Sequence, residues 1–329
     1  MRKALKHLAI ILAAAALCLS ALSPDVRAQE TASQRRDGQR ADGKLPRGVR
    51  VVTIPITIRR KGKKVQEEEL TPVDFTVRED GELQHILSLR SIESTPLSVA
   101  VLIQDDLPSI GNEIKGLAEF IRRLPRGSRV LIGYIKTGTL EVRQKFTTDL
   151  ERAANALRIP VGFPTAAPYN PYVEISEALR RFEALPAGRR AMIVVSDGLD
   201  LSHGADISSV THSPDQQHAI NLAQRFGVAI YSLYSPSASL ASANNNTLLI
   251  SGAQGALARL SDETGGRAFF QGTSAPVSFD PFLRDINVDL IGQLALSYLS
   301  THPKKGYHRI EITSGNHEVE IDHPAGYMR

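Results

Sequence analysis

Along residues 51–89 apolar positions alternate with polar ones, as they do in half-buried strands. The runs are 51–58, 75–78 and 84–89, and the acidic turn Glu79-Asp80-Gly81-Glu82 joins the last two. From Leu97 the pattern becomes continuous. Residues 97–103, 129–135 and 191–195 are nearly unbroken apolar stretches of the kind found in strands buried on both faces. Between them Ile110, Ile114, Leu117, Ile121 and Leu124 recur at helical spacing, and further helices are predicted at 150–157, 173–185, 216–226 and 253–264. Strands are predicted at 228–234 and 268–270, and 140–146 alternates like an edge strand. Gly265-Gly266 supplies a helix stop. This alternation predicts an α/β fold, a doubly wound and mostly parallel Rossmann-type sheet, over residues 96–292. A helix at 282–290 is followed by strand patterns at 293–299, 307–313 and 318–322. Those last strands, within 293–329, are the expected partners of the β unit at 50–95, giving a small split antiparallel unit.

The two ends of the chain differ from this body. Arg2, Lys3 and Lys6 precede an apolar run over 8–22, and Val26-Arg27-Ala28 offers a cleavage site before Gln29. That is the anatomy of a secretory signal peptide over 1–28, with a core shorter than the roughly 20 residues of a membrane span. Cys18 follows Leu17, where lipid attachment wants a small residue, so the single cysteine is expected to leave with the leader. Thiol chemistry, disulfides and Cys-ligated zinc are then excluded. Residues 29–49 are rich in Arg, Gln, Gly and Asp and read as a flexible basic linker. Gly38-x4-Gly43-Lys44 imitates a phosphate-binding loop but lacks both the following Ser/Thr and a preceding strand. The predicted location is exported, periplasmic or extracellular, with no transmembrane segment after cleavage.

The formal charge of +4 invites a nucleic-acid partner. Its position withdraws the invitation, because residues 51–329 alone hold 29 basic and 31 acidic side chains, a net charge of −2. Arg122, Arg123, Arg126 and Arg129, and likewise Arg180, Arg181, Arg189 and Arg190, cluster near predicted helix ends. There they complement the helix dipole, with no interleaved aromatics to stack bases.

In a doubly wound sheet, ligands bind beyond the carboxyl ends of the strands where strand order reverses. Two such ends are rich in oxygen: Asp105-Asp106-Leu107-Pro108-Ser109 and Ser196-Asp197-Gly198-Leu199-Asp200. Carboxylates and hydroxyls without His or Cys favour Mg²⁺, Mn²⁺ or Ca²⁺. The same residues also cap helices and solvate loops in many proteins.

Leu97-Ser-Val-Ala-Val-Leu-Ile-Gln-Asp-Asp and Val194-Val-Ser-Asp-Gly-Leu-Asp resemble the first and fourth strands of a von Willebrand factor type A domain. With Leu70-Thr-Pro-Val-Asp-Phe-Thr-Val-Arg-Glu-Asp-Gly, Ala219-x3-Ala223-Gln224, Glu263-Thr-Gly-Gly and Ala325-Gly-Tyr, the chain resembles the exported VWFA-related proteins first described from acidobacteria over residues 50–329. The resemblance implies a metal-ion-dependent adhesion site, built on Asp-x-Ser-x-Ser with a later Thr and Asp. Carried over, Asp105 and Ser109 match the first and last positions, Asp197 matches the later Asp, and Thr165 stands for the Thr. Leu107 replaces the central Ser and makes the site degenerate. The implied function is non-enzymatic protein binding, with a partner's acidic side chain completing the ion's shell. The alternative is a metal-independent structural component of the cell envelope.

Enzymatic readings find less support. A magnesium-dependent aspartyl phosphatase needs a second acid where Leu107 stands, and no Gly-x-Ser-x-Gly elbow is present. His203, His212 and His218 lack helical metal-pair spacing, and His317, Glu318 and His323 fit a period-two strand.

Overall fold

The computed structural model describes residues 49–60, 74–92, 95–168, 170–186, 188–202, 213–238, 240 and 247–329. The leader expected at 1–28, nearly all of the linker, and His203 and His212 lie outside them. The described elements are β1 (Arg50–Arg60), β2 (Phe75–Glu79), β3 (Glu82–Ser91), β4 (Leu97–Gln104), α1 (Glu113–Arg122), β5 (Arg129–Lys136), β6 (Thr139–Thr147) and α2 (Leu150–Asn155). After a 3-10 turn at Pro164–Ala166 come α3 (Pro171–Arg180), β7 (Arg189–Ser196), α4 (Pro214–Phe226), β8 (Ala229–Tyr234), α5 (Thr247–Asp262) and β9 (Ala268–Phe269). The chain ends with α6 (Asp280–Ile291), β10 (Gln293–Ser300), β11 (Tyr307–Ser314), β12 (Val319–Asp322) and β13 (Gly326–Met328).

Six strands form a doubly wound sheet in the order β6-β5-β4-β7-β8-β9. All neighbours are parallel except the β5–β6 edge pair, which is antiparallel. Strand order reverses between β4 and β7, the position where such sheets bind ligands. Side chains of β4 alternate between two cores. Val99, Val101 and Ile103 pack with Leu117 and Ile121 of α1, Ala153 of α2 and Leu283 and Ile286 of α6. Ala100 and Leu102 pack with Ile175 and Leu179 of α3, Ala219 and Ala223 of α4 and Leu260 of α5. Both faces are covered, which is why the β4 sequence is apolar throughout.

The helices start where local chemistry satisfies their free N–H groups. Asp149 caps α2 through Arg152 N, Asn170 caps α3 through Tyr172 N, and Ser213 caps α4 through Gln216 N. Proline occupies the first position of α3 and α4, where its missing N–H costs nothing.

The antiparallel unit is larger than its expected small size. Seven strands in the order β12-β1-β10-β3-β2-β11-β13 form a sheet drawn from both flanks of the α/β body. Val52, Ile54 and Ile56 of β1 bury against Val77, Leu296, Tyr298, Ile310 and Ile312. The two sheets are joined by charge: Asp289 of α6 lies 3.6 Å from Arg59 of β1 and from Arg267. Arg189 and Arg190 sit on β7 rather than at a helix end, yet Arg190 Nη1 donates to Phe226 O, the last carbonyl of α4 (2.8 Å). His323 is half-buried, and its Nε2 accepts from Ile312 N (3.3 Å). Among the described residues no helix is long and apolar enough to cross a membrane.

Candidate functional site

Beyond the carboxyl ends of β4 and β7 the chain buries a row of polar groups: Gln104, Asp105, Asp106, Ser196, Asp197 and Asp200. Gln104 organises the centre. Its Nε2 donates to Asp106 Oδ1 (2.8 Å), while its Oε1 accepts from Ser196 Oγ (2.6 Å) and Asp197 N (3.2 Å). Asp197 Oδ1 accepts from Leu199 N (3.0 Å), and its carboxylate also bonds Ser237 beyond β8. Asp200 caps the following loop, accepting from Ser202 N (3.0 Å) and Ser213 Oγ (2.5 Å). Gly198 makes the turn between these acids at φ +75°, and a β-carbon there would lie 2.6 Å from Leu257 Cγ. Only glycine fits both the conformation and the space.

Adjacent acids at a strand end point in opposite directions. Asp106 is the one that faces Asp197. Burial first, then the Asp197 charge, pushes the Asp106 carboxyl up to about 6. Burial likewise raises Asp197. Asp106 Oδ2 has no hydrogen-bond partner.

Asp105 turns the other way, with 0% of its side chain exposed, and meets a guanidinium. Arg158 Nη1 donates to Oδ1 (2.6 Å) and Nη2 to Oδ2 (2.9 Å), a bidentate pair. Val161 N donates to Oδ1 (3.1 Å), Gly162 N donates to Asp105 O (2.9 Å), and Lys136 Nζ lies 3.7 Å from Oδ2. Arg158 Nη2 also donates to Glu141 Oε2 (3.2 Å), and Glu141 pairs with Lys136. Residues 158–163 thus form a strap across the loop after β4. Gly162, at φ +71°, packs over Pro108, and Ile159 packs over Gly111. The strap turns apolar side chains outward: Ile159, Val161 and Phe163 are 66%, 48% and 64% exposed.

The four metal ligands carried over by resemblance are not gathered by this geometry. Asp105 is held by Arg158 and the strap. Asp197 faces Asp106 instead. Ser109 and Thr165 are exposed, and neither side chain is bonded to either acid. Leu107 is buried in the core with Ile110 and Leu117. A divalent ion needs about six oxygen ligands in its first shell. The donor set expected here offers one carboxylate already neutralised by a cation, a second that faces Asp106 and accepts from Leu199 N, and two hydroxyls turned to solvent, with a leucine where the central hydroxyl would stand, and it does not fit the ion.

Arg158, Gln104 and Lys136 were not among the residues singled out by sequence. The one signal for Arg158 was its place just past the α2 pattern, before Ile159-Pro160, where a helix must end.

No family profile matches the chain, and no curated protein matches it. Solved structures similar to it include an aerotolerance-related membrane protein from Bacteroides fragilis NCTC 9343, at 12% identity over 59% of this chain and 98% of that one, with a TM-score of 0.41. A von Willebrand factor type A protein from Catenulispora acidiphila is similar at 11% identity over 78% of this chain and 73% of that one, with a TM-score of 0.41. The conserved hypothetical protein BatB from Bacteroides thetaiotaomicron is similar at 14% identity over 60% of this chain and 97% of that one, with a TM-score of 0.37. The strand order and switch point described above carry the reading of a von Willebrand factor type A-like fold.

Proposed function

We propose that this chain is an exported, non-enzymatic protein-binding module that meets its partner through the loops beyond the carboxyl ends of β4 and β7. The observation that carries this reading is the strap. Ile159, Val161 and Phe163 stand outward together where doubly wound sheets bind ligands. Exposed apolar clusters of this kind, here beside Arg158 and its ion-pair partner Glu141, mark contact surfaces rather than reaction centres. Leu107, buried where a phosphatase would keep its proton-transferring acid, supports binding over catalysis. Export is supported by the basic start and apolar run of residues 2–22, and the slightly acidic body speaks against nucleic acid.

The test is retention of envelope proteins by the immobilised chain, compared with an Ile159→Ser/Phe163→Ser variant of unchanged melting temperature. The reading expects proteins retained by the first and lost by the second, with slowed hydrogen exchange at 159–163 in the complex. Identical retention by both, or hydrolytic turnover that depends on Asp106, would sink it.

A further inference from the structure

A carboxylate taken wholly out of water stays ionised at little cost only where a positive charge or several hydrogen bonds match it; otherwise burial favours its protonated form. In a metal-dependent adhesion site that charge is the ion. Here a different group does the matching: we propose that Arg158 is the permanent cation of this site, and that the strap it begins closes the shell of Asp105, so that the carboxyl edge works without metal.

The shell is complete by count and by geometry. Both Asp105 carboxylate oxygens accept from the guanidinium, Oδ1 accepts again from Val161 N, and the Asp105 carbonyl accepts from Gly162 N. A magnesium ion would have to reach these oxygens at about 2.0–2.1 Å, inside the volume the guanidinium occupies. Nor can Arg158 readily swing aside, because it is fixed along its length. Its backbone N donates to Tyr134 OH (2.7 Å) and its carbonyl accepts from the same hydroxyl (2.5 Å). Its guanidinium carbon sits 4.0 Å from the Tyr134 ring centroid, and Nη1 also donates to Ile159 O (3.1 Å).

Charge leads to the same conclusion. Asp105 and Glu141 face Arg158 and Lys136, two carboxylates against two cations, with Arg143 on the outer side of Glu141. A dication added to this balanced group would meet resident positive charge. Ion-mediated recognition, in which an acidic side chain of a partner fills an open metal position, therefore has no open position to use at Asp105. The apolar strap remains as the recognition element.

The experiment follows melting of the full chain by circular dichroism at neutral pH, in EDTA and then with millimolar Mg²⁺, Mn²⁺ or Ca²⁺. The wild type is expected to melt at one temperature throughout. Arg158→Ala should melt lower by roughly 6–12 °C, because it leaves a buried carboxylate uncompensated. It should also regain part of that loss in metal. Arg158→Lys should fall between the two and ignore metal. A wild-type midpoint that rises with metal and stops rising in Asp105→Asn overturns the inference. So does an Arg158→Ala variant that melts with the wild type or is indifferent to metal. Should Arg158→Ala fail to fold, the free Mn²⁺ signal in electron paramagnetic resonance decides on the other chains. Equal signals with wild type and Asp105→Asn support a resident guanidinium, and Mn²⁺ held by wild type but released by Asp105→Asn overturns it. The outcome is independent of the partner: identical retention by wild type and the strap variant, with the metal response as expected here, would break the proposed function and leave this inference standing.

Discussion

Tyr134 and Arg158 are joined three times over: the Tyr134 hydroxyl donates to the Arg158 carbonyl, accepts from the Arg158 N–H, and its ring lies under the guanidinium. Tyr134 belongs to β5, so a rigid sheet strand holds the strap in register with Asp105 on β4's end. Tyr134→Phe keeps the ring and removes both hydrogen bonds, leaving two backbone groups short of a partner. The expected loss is about 1–3 kcal/mol in urea unfolding, with faster hydrogen exchange over 158–162 than over β4. Unchanged exchange there would show that the strap is held by the ion pair alone.

Gly198 offers a steric test of the loop after β7. Alanine at this position must adopt a left-handed φ and place its β-carbon against Leu257 Cγ and Ala253 O, the latter at 2.8 Å. Gly198→Ala should cost more than about 1 kcal/mol, since backbone incompatibility and crowding add. A denaturant midpoint equal to wild type would mean that α5 shifts freely to make room.

Glu174 on α3 is buried with Oε2 unpartnered, and burial pushes its carboxyl up to about 7, with repulsion from Glu177 adding to the rise. The folded value exceeds the unfolded one near 4.3, so the folded state binds the extra proton. Its ionisation therefore costs stability in full above about pH 7, and the cost fades as pH falls toward about 4. Glu174→Gln should raise the melting temperature at mildly alkaline pH and leave it nearly unchanged near pH 4. A uniform shift at both pH values would point to altered packing instead of titration.

Glu79, fully buried in β2, accepts from Ser300 Oγ (3.0 Å) on β10 and from Tyr327 OH (2.7 Å) on β13, and Arg50 of β1 in turn donates to that hydroxyl (2.7 Å). One carboxylate thus ties strands from both flanks of the chain. Glu79→Ala orphans these donors, and unfolding should report a loss of about 2–4 kcal/mol. A loss below 1 kcal/mol would show that water replaces the carboxylate.

Much of this architecture is legible in the residues themselves. The unbroken run of β4 announces a strand covered on both faces, and the alternation of β6 announces an edge. The start of α5 is less legible. Ser251, Gly252 and Gly255 give its first half a loop-like composition, but Leu249 and Ala253 bury against Leu199 and Leu240, and that packing draws the helix back to Thr247. The antiparallel sheet outgrew its expected size partly because β13 has only three residues, too few to show a period. At the site, the strand-end acids and the departure at Leu107 could be read directly. Two things could not. Which of two neighbouring acids faces β7 depends on strand twist and register. That Arg158 answers Asp105 across 53 residues depends on β5 placing Tyr134 beneath it.

The interleaving of β1 with β10 has a bearing on how the chain comes together. Each residue of β1 from Arg50 to Thr57 pairs with one from Ser300 back to Gln293, so β1 has no neighbour on that side until more than two hundred further residues have been made. The doubly wound sheet can assemble from contiguous sequence. The seven-stranded one must wait, because β10 enters between β1 and β3. A nascent chain therefore keeps apolar Val52, Ile54 and Ile56 without their β10 neighbours until residues 293–300 have been made. The last strands act as a latch, and a chain cut after α6 would be left with an unclosed sheet edge and a strong tendency to aggregate.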